Sequence, residues 1–231
     1  IDGDGDLDLF IGRGDGSIRF YRNTGSPGAP SFSLADDRFL NIAGTFTPPQ
    51  AGTHCCPVFA DVDGDGDLDL VYGEYTGTLK FYQNDGTSAA PHFVTSTQHF
   101  NSIDVGDFAQ PVFCDIDADG DLDLFVGYGA YPGGSSGGIR FYRNTGIPAA
   151  PSYAEEAPGF LPVTADPDQH PAFVDVDGDG DLDLFVGTKS GAGDAVTLFY
   201  RNEGTPESAA FSVEPCPLPT VAADDWISPS F

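Results

Sequence analysis

Basic residues are scarce in this chain. Nine Lys and Arg stand against 36 Asp and Glu among 231 residues, leaving a formal charge of −27. Nucleic acids and anionic membranes are bound through clustered cations, so this balance excludes both as partners. Cysteine is sparse as well. Cys55, Cys56, Cys114 and Cys216 fall at no zinc-ligand spacing, and the adjacent Cys55 and Cys56 cannot chelate as a C-x-x-C motif does. An oxidising compartment leaves a disulfide among the four open, with no pairing readable. No stretch approaches the roughly 20 apolar residues that a membrane-spanning helix needs, so insertion is not expected. A secretory leader is missing too, but the chain opens inside a repeat and is expected to be a fragment or a processed product, so that absence excludes nothing.

Catalytic signatures are also lacking. No nucleophile elbow, phosphate loop or Cys/His pair occurs, and His54, His92, His99 and His170 are scattered, with His54 and His170 read as blade-edge residues ahead of Pro57 and Pro171. Asp36, Asp37, Glu155 and Glu156 are the acidic residues left to imagine as an acid/base pair, and lone loop carboxylates are more often solvated. The expectation is a protein that is not an enzyme. No Asn-x-Ser/Thr sequon is present, whereas Pro/Thr/Ser-rich loops leave O-glycosylation open. Disorder does not follow from the acidity, because 13% aromatic and 40% hydrophobic residues recur in short alternating runs.

What the chain does have is a repeated acidic loop of the form D-x-D-x-D-G-D-L-D. Of the 36 acidic residues, 19 are Asp within four such loops. The third-position Asp recurs at Asp2, Asp63, Asp117 and Asp177, with spacings of 61, 54 and 60 residues. That period suits one four-stranded unit. In the second copy Pro57–Val62 reads as a strand, the loop follows, and Leu68–Tyr72 reads as a second strand. A hairpin from Gly73 to Gly77 leads to Thr78–Tyr82, and Phe93 and Val94 open a weaker fourth strand. The third strands end alike, as F-Y-R-N-T-G at Phe20–Gly25 and Phe141–Gly146 and F-Y-R-N-E-G at Phe199–Gly204. Asn23, Asn84, Asn144 and Asn202 are read as turn formers. No segment carries a helical period.

Serial four-stranded units bury both faces by stacking on one another, so the expected fold is all-β: a β-propeller of four-stranded antiparallel blades, four in this chain. Repeats of about 1–53, 54–108, 109–168 and 169–225 form one propeller region, with 226–231 left over. Ser228-Pro229-Ser230-Phe231 matches the strand opening His170-Pro171-Ala172-Phe173, so the strand missing at the start stands at the end. It either closes the first blade of its own chain or joins a larger propeller or a strand-exchanging assembly.

Carboxylates on alternate residues of a tight turn suit Ca²⁺, a hard ion taking six to eight oxygens. The second loop offers Asp61, Asp63, Asp65 and Asp69 through side chains and Asp67 through its carbonyl, with Gly66 at the turn. The third offers Asp115, Asp117, Asp119 and Asp123 with Asp121, and the fourth Asp175, Asp177, Asp179 and Asp183 with Asp181. The first has Asp2, Asp4, Asp6 and Asp8 but no first-position Asp, so three sites are complete and one is not. Turn formation alone needs one or two such residues, and uncompensated carboxylates repel. Mg²⁺ prefers fewer carboxylates and more water. An EF-hand is set aside, because it needs Glu at position twelve and flanking helices. Four bound Ca²⁺ would leave a charge of about −19.

These loops, followed by Leu70-Val71-Tyr72-Gly73, Phe125-Val126-Gly127 and Phe185-Val186-Gly187, and the N-T-G-x-P segments at Asn23–Pro30 and Asn144–Pro151, resemble the FG-GAP/VCBS repeats. The resemblance implies a propeller, usually of about seven blades, as in integrin α-subunits and many secreted proteins. It points to an extracellular or cell-surface module for adhesion, recognition or assembly, with a protein or glycan partner. Ca²⁺ then acts as a staple, filled at millimolar concentration. A lectin is the alternative, with Tyr72, Tyr75, Tyr128, Tyr131 and Trp226 as platforms; an accessory propeller of a secreted enzyme is a third. Arg13-Gly14-Asp15 is read as a plain hairpin turn.

Overall fold

Four antiparallel sheets succeed one another along the chain. They were traced in a computed structural model that describes residues 1–26, 28–40, 55–97, 100–129, 137–156, 161, 169–189, 195–205 and 207–218. The first sheet holds β1 (Leu9–Gly12), β2 (Ile18–Asn23) and β3 (Phe32–Asp36). The second holds β4 (Cys56–Ala60), β5 (Asp69–Gly73), β6 (Leu79–Asn84) and β7 (Phe93–Thr97). The third runs β8 (Gln110–Cys114), β9 (Asp123–Tyr128), β10 (Gly138–Asn144), β11 (Tyr153–Glu155). The fourth runs β12 (His170–Val174), β13 (Asp183–Lys189), β14 (Ala195–Asn202), β15 (Phe211–Glu214). Each sheet is a meander whose neighbours in sequence are neighbours in space, and the four make a four-blade β-propeller arrangement. Among the described residues the first blade has three strands, lacking the strand equivalent to β4. The segment 226–231, with its matching strand sequence and Trp226, lies outside the described residues.

The strand after each acidic loop is the blade's keel. Alternation of apolar and polar residues was expected there, but Leu70, Val71 and Tyr72 are all buried. The reason is that both faces of a blade are covered, and the period of two deals successive side chains to opposite neighbours. Leu70 and Tyr72 join Ile18 and Phe10 between the first and second blades. Val71 joins Leu124 and Val126 between the second and third, and Phe125 joins Leu184 and Val186 between the third and fourth. β1 shows the converse. Leu9 and Ile11, which match Leu70 and Tyr72, are 39% and 42% exposed, because among the described residues no blade precedes them.

Packing is serial: β4 lies against β1, β8 against β4 and β5, and β12 against β8 and β9, with no comparable contact between the first and fourth blades among the described residues. Near the axis a cavity of about 730 Å³ is shared by β1, β4, β8 and β12, with Phe10, Gln110 and His170 in its wall. A second inter-blade contact sits at the acidic loops. A Cβ on Gly64 would fall 2.7 Å from Pro148 Cβ in the third blade, and one on Gly3 would fall 3.1 Å from Ala89 Cα in the second. In the second and third blades, therefore, the turn after the third strand seats on the loop of the blade before it. Gly178, in the last loop, meets nothing within 4 Å.

Candidate metal centre

In the second to fourth blades the acidic loop joins the first two strands, in the first blade it leads into β1, and in every blade its ninth residue anchors it. The Asp69 carboxylate accepts the backbone amides of Asn84 at 2.7 Å and Val62 at 3.2 Å. Asp183 does the same with Asn202 (2.8 Å) and Val176 (3.2 Å), and Asp8 with Asn23 (2.8 Å) and the Ile1 nitrogen (3.0 Å). Asp123 accepts from Asn144 at 2.7 Å. The asparagines are more than turn formers. All four are buried, and each side-chain oxygen takes two further amides: Gly86 and His92 on Asn84, Gly146 and Ser152 on Asn144. Gly25 and Ser31 bind Asn23 in the same way, and Gly204 and Ala210 bind Asn202. The period of the sequence revealed these positions; their burial was not visible in it.

Above this anchor the loop folds on its own amides. Asp61 accepts from Asp65 and Gly66, both at 3.0 Å, and Asp65 accepts from Asp67 at 2.9 Å. Asp115 and Asp175 likewise accept from Gly120 and Gly180. Gly66, Gly120 and Gly180 have φ of 94°, 93° and 96°, the left-handed conformation in which a side chain would be strained. The effect is to turn alternate side chains inward.

Three of the expected ligand positions meet in each complete loop. Asp61, Asp63 and Asp65 bring one carboxylate oxygen each within 4.8 Å of the others, as do Asp115, Asp117 and Asp119, and Asp175, Asp177 and Asp179. Oxygens across a Ca²⁺ shell lie about 4.6 to 5.2 Å apart, so the triplets have its dimensions. Asp63 Oδ1 and Asp117 Oδ1 are buried without a hydrogen-bond donor, and so are Asp6 Oδ1 and Asp121 Oδ1 at the seventh position. A buried carboxylate oxygen without a donor is costly unless a cation satisfies it. The donor set therefore fits a hard divalent ion. The seventh residue was expected to act through its carbonyl; in two loops its side chain also carries such an oxygen.

The crowding shows in protonation. Burial, followed by the charges of Asp119, Asp117 and Asp115, raises the Asp121 carboxyl above its ordinary value. Burial and then Asp179 push Asp181 up to about 6. Burial lifts Asp69 to about 6 and Asp123 to about 7, against the lowering effect of the amides of Asn84 and Asn144. Burial is the leading cause in each case, and neighbouring Asp charges add to it.

Sequence reasoning missed one set of residues. Gln83 Nε2 donates to Asp63 Oδ2 at 2.6 Å, and Arg22 Nε pairs with Asp2 Oδ2 at 3.2 Å. Arg143 and Arg201 pair through Nη1 with Asp117 and Asp177. Arg143 also reaches Glu156 at 2.8 Å and Arg201 reaches Glu214 at 3.1 Å. The recurrent residue before each asparagine was the available signal. Glu156, expected to be merely solvated, is part of this bridge.

The remaining candidates take structural places. Arg13-Gly14-Asp15 forms the β1–β2 hairpin, where Asp15 accepts from Ser17 and the Arg13 guanidinium folds back to 3.9 Å from Asp15. Glu74 to Thr78 makes the same turn in the second blade. Tyr72 is buried, Tyr75 packs edge-on against Phe108, and Arg140 covers Tyr128. Tyr131, His54 and His99 lie outside the described residues. His170 Nε2 stands 3.0 Å from Gln110, and His92 pairs with Asp85 on the surface. All four cysteines are free thiols, and burial raises Cys55, Cys56 and Cys114 well above or to about 11 in the case of Cys56. No described helix is long and apolar enough to cross a membrane.

Comparison with known proteins agrees with this geometry. The chain is 27% identical over 203 residues to cartilage acidic protein 1 of Xenopus tropicalis, covering 85% of this chain and 29% of that protein. It therefore spans less than a third of that relative. FG-GAP-like repeats match residues 1–72, 61–126 and 115–186, each match running from one acidic loop into the keel strand of the next blade. Those segments carry the loops, anchors and inter-blade seats described above, and on them the chain belongs to the FG-GAP-like repeat family.

Proposed function

We propose that this chain is a calcium-stapled β-propeller module that acts outside the cell in adhesion, surface recognition or matrix assembly, without catalysis. The observation that carries the reading is the convergence of three carboxylates in each of three loops, with oxygens buried and lacking donors in the second and third. Asp61, Asp63 and Asp65, and their counterparts in the third and fourth loops, are the direct ligands. Asp69, Asp123 and Asp183 complete the shell, since a carboxylate oxygen that accepts one amide retains a second lone pair. Asp2, Asp4, Asp6 and Asp8 are the corresponding carboxylates of the first loop. When bound, Ca²⁺ supplies the positive charge that the crowded loop lacks, and because the second loop seats the turn of the third blade, filling it stiffens the joint between those two blades.

An extracellular setting is supported by a relative named for cartilage, and there the loops would meet millimolar calcium. The repeats, about 1–53, 54–108, 109–168 and 169–225, act as one region, and a protein or glycan partner is proposed. Calorimetric titration with Ca²⁺, paired with melting in chelator, tests the reading. Binding near three equivalents with a raised melting temperature is expected; no binding at millimolar Ca²⁺ would sink it.

A further inference from the structure

We propose that the side chain just before each buried asparagine tunes the metal affinity of its own loop, and that Gln83 makes the second loop the tightest of the three complete ones. This rests on the calcium reading above and adds a ranking to it.

The third-position carboxylate has two oxygens with different occupations. In the second loop Asp63 Oδ2 is held by Gln83 Nε2 at 2.6 Å, while Oδ1 is buried without a donor. In the third loop Asp117 Oδ2 is held by Arg143 Nη1, and Oδ1 is again buried without a donor. Arg201 holds Asp177 Oδ2 in the fourth. In the second and third loops the pattern is shared, one oxygen fixed by the side chain before the asparagine and the other buried without a donor, and in the fourth Arg201 fixes the matching oxygen. Gln83 and the arginines are thus positioning residues, which orient a ligand through its second oxygen.

Their charges differ. A guanidinium one carboxylate away from the site repels a divalent cation and draws off part of the ligand's charge, whereas a carboxamide does neither. Glu156 and Glu214 offset this only in part, because each binds the Nε side of its arginine while Nη1 faces the loop. All three loops carry five Asp, so their own charge does not separate them. The second loop should therefore fill first, at Ca²⁺ concentrations roughly three- to tenfold below the other two.

The test is a Ca²⁺ titration followed by NMR at the amides of Gly66, Gly120 and Gly180, each of which reports its own loop by donating to the first-position Asp. Gly66 should reach its midpoint first. Gln83→Arg should raise that midpoint three- to tenfold without moving the other two, Arg143→Gln should lower the Gly120 midpoint by a similar factor, and added KCl should narrow the gap. Melting of the chelated variants shows that they fold. Equal midpoints in the wild type, an Arg143→Gln change that weakens or leaves the third loop unaltered, or a gap insensitive to salt overturns the ranking while calcium binding stands. If none of the three amides responds to Ca²⁺, both readings fall.

Discussion

Asp69 accepts the backbone amide of Asn84 at 2.7 Å, and Asn84 in turn accepts the amides of Gly86 and His92, so one buried relay joins the acidic loop to the turn after the third strand. The relay recurs in every blade and needs no metal. It gives Asp69 a part in holding the fold that is independent of any ion.

Asn84→Ala removes one buried oxygen that satisfies two amides. Leaving those amides without an acceptor costs ~2–4 kcal/mol. Urea unfolding in chelator should show this loss, and an unchanged midpoint would mean that water replaces the side chain.

Asp65→Asn is expected to behave oppositely. Its side chain is exposed and accepts only the amide of Asp67, at 2.9 Å, so an amide oxygen can take over that bond. The chelated variant should melt within a degree or two of the parent. In millimolar Ca²⁺ it should lose part of the calcium-dependent increment. Loss of stability in chelator, with the increment intact, would move Asp65 from ligand to scaffold.

The fold was legible in the sequence because its information is periodic. Asp2, Asp63, Asp117 and Asp177 set the repeat, and the strands around Asp61–Asp69 fell within a residue or two of β4 and β5. The ligand triplets were legible too, since alternate Asp in a glycine turn has few other uses. Two things were not. Leu70, Val71 and Tyr72 are buried together because neighbouring blades cover both faces, a property of stacking and not of one strand. Arg143 and Gln83 meet the loop from 26 and 20 residues away, a juxtaposition that only the blade's third strand creates.

Acidity should affect the protein in opposite directions with and without calcium. Burial raises Asp69 to about 6 and Asp123 to about 7 in the folded state. The folded protein then holds more protons than the unfolded chain between about pH 4 and 7, so stability conferred by these groups is greatest at the acid end and is lost as pH rises through the folded values. Melting in chelator should rise by a few degrees from pH 7 to pH 5. In excess Ca²⁺ it should fall, because protons compete for the ligands. Parallel trends in the two series would contradict the assignment.

The two glycines Gly64 and Gly178 occupy the same loop position with φ of 69° and 78°, but their surroundings differ. At Gly64 a methyl group would lie 2.7 Å from Pro148 Cβ and 2.9 Å from the Pro148 carbonyl carbon, whereas at Gly178 it would meet nothing. Ala118 stands at this position in the third loop with φ of 54°, so the backbone strain of alanine there is tolerable. Gly178→Ala should therefore cost only that strain, about 1 kcal/mol, while Gly64→Ala should add ~1–3 kcal/mol of overpacking between blades. If the turn of one blade steadies the loop of the blade before it, Gly64→Ala should also weaken Ca²⁺ binding at the second loop. Equal losses at the two positions in urea unfolding would show that the Pro148 turn yields, and that the loops bind without help from the neighbouring blade.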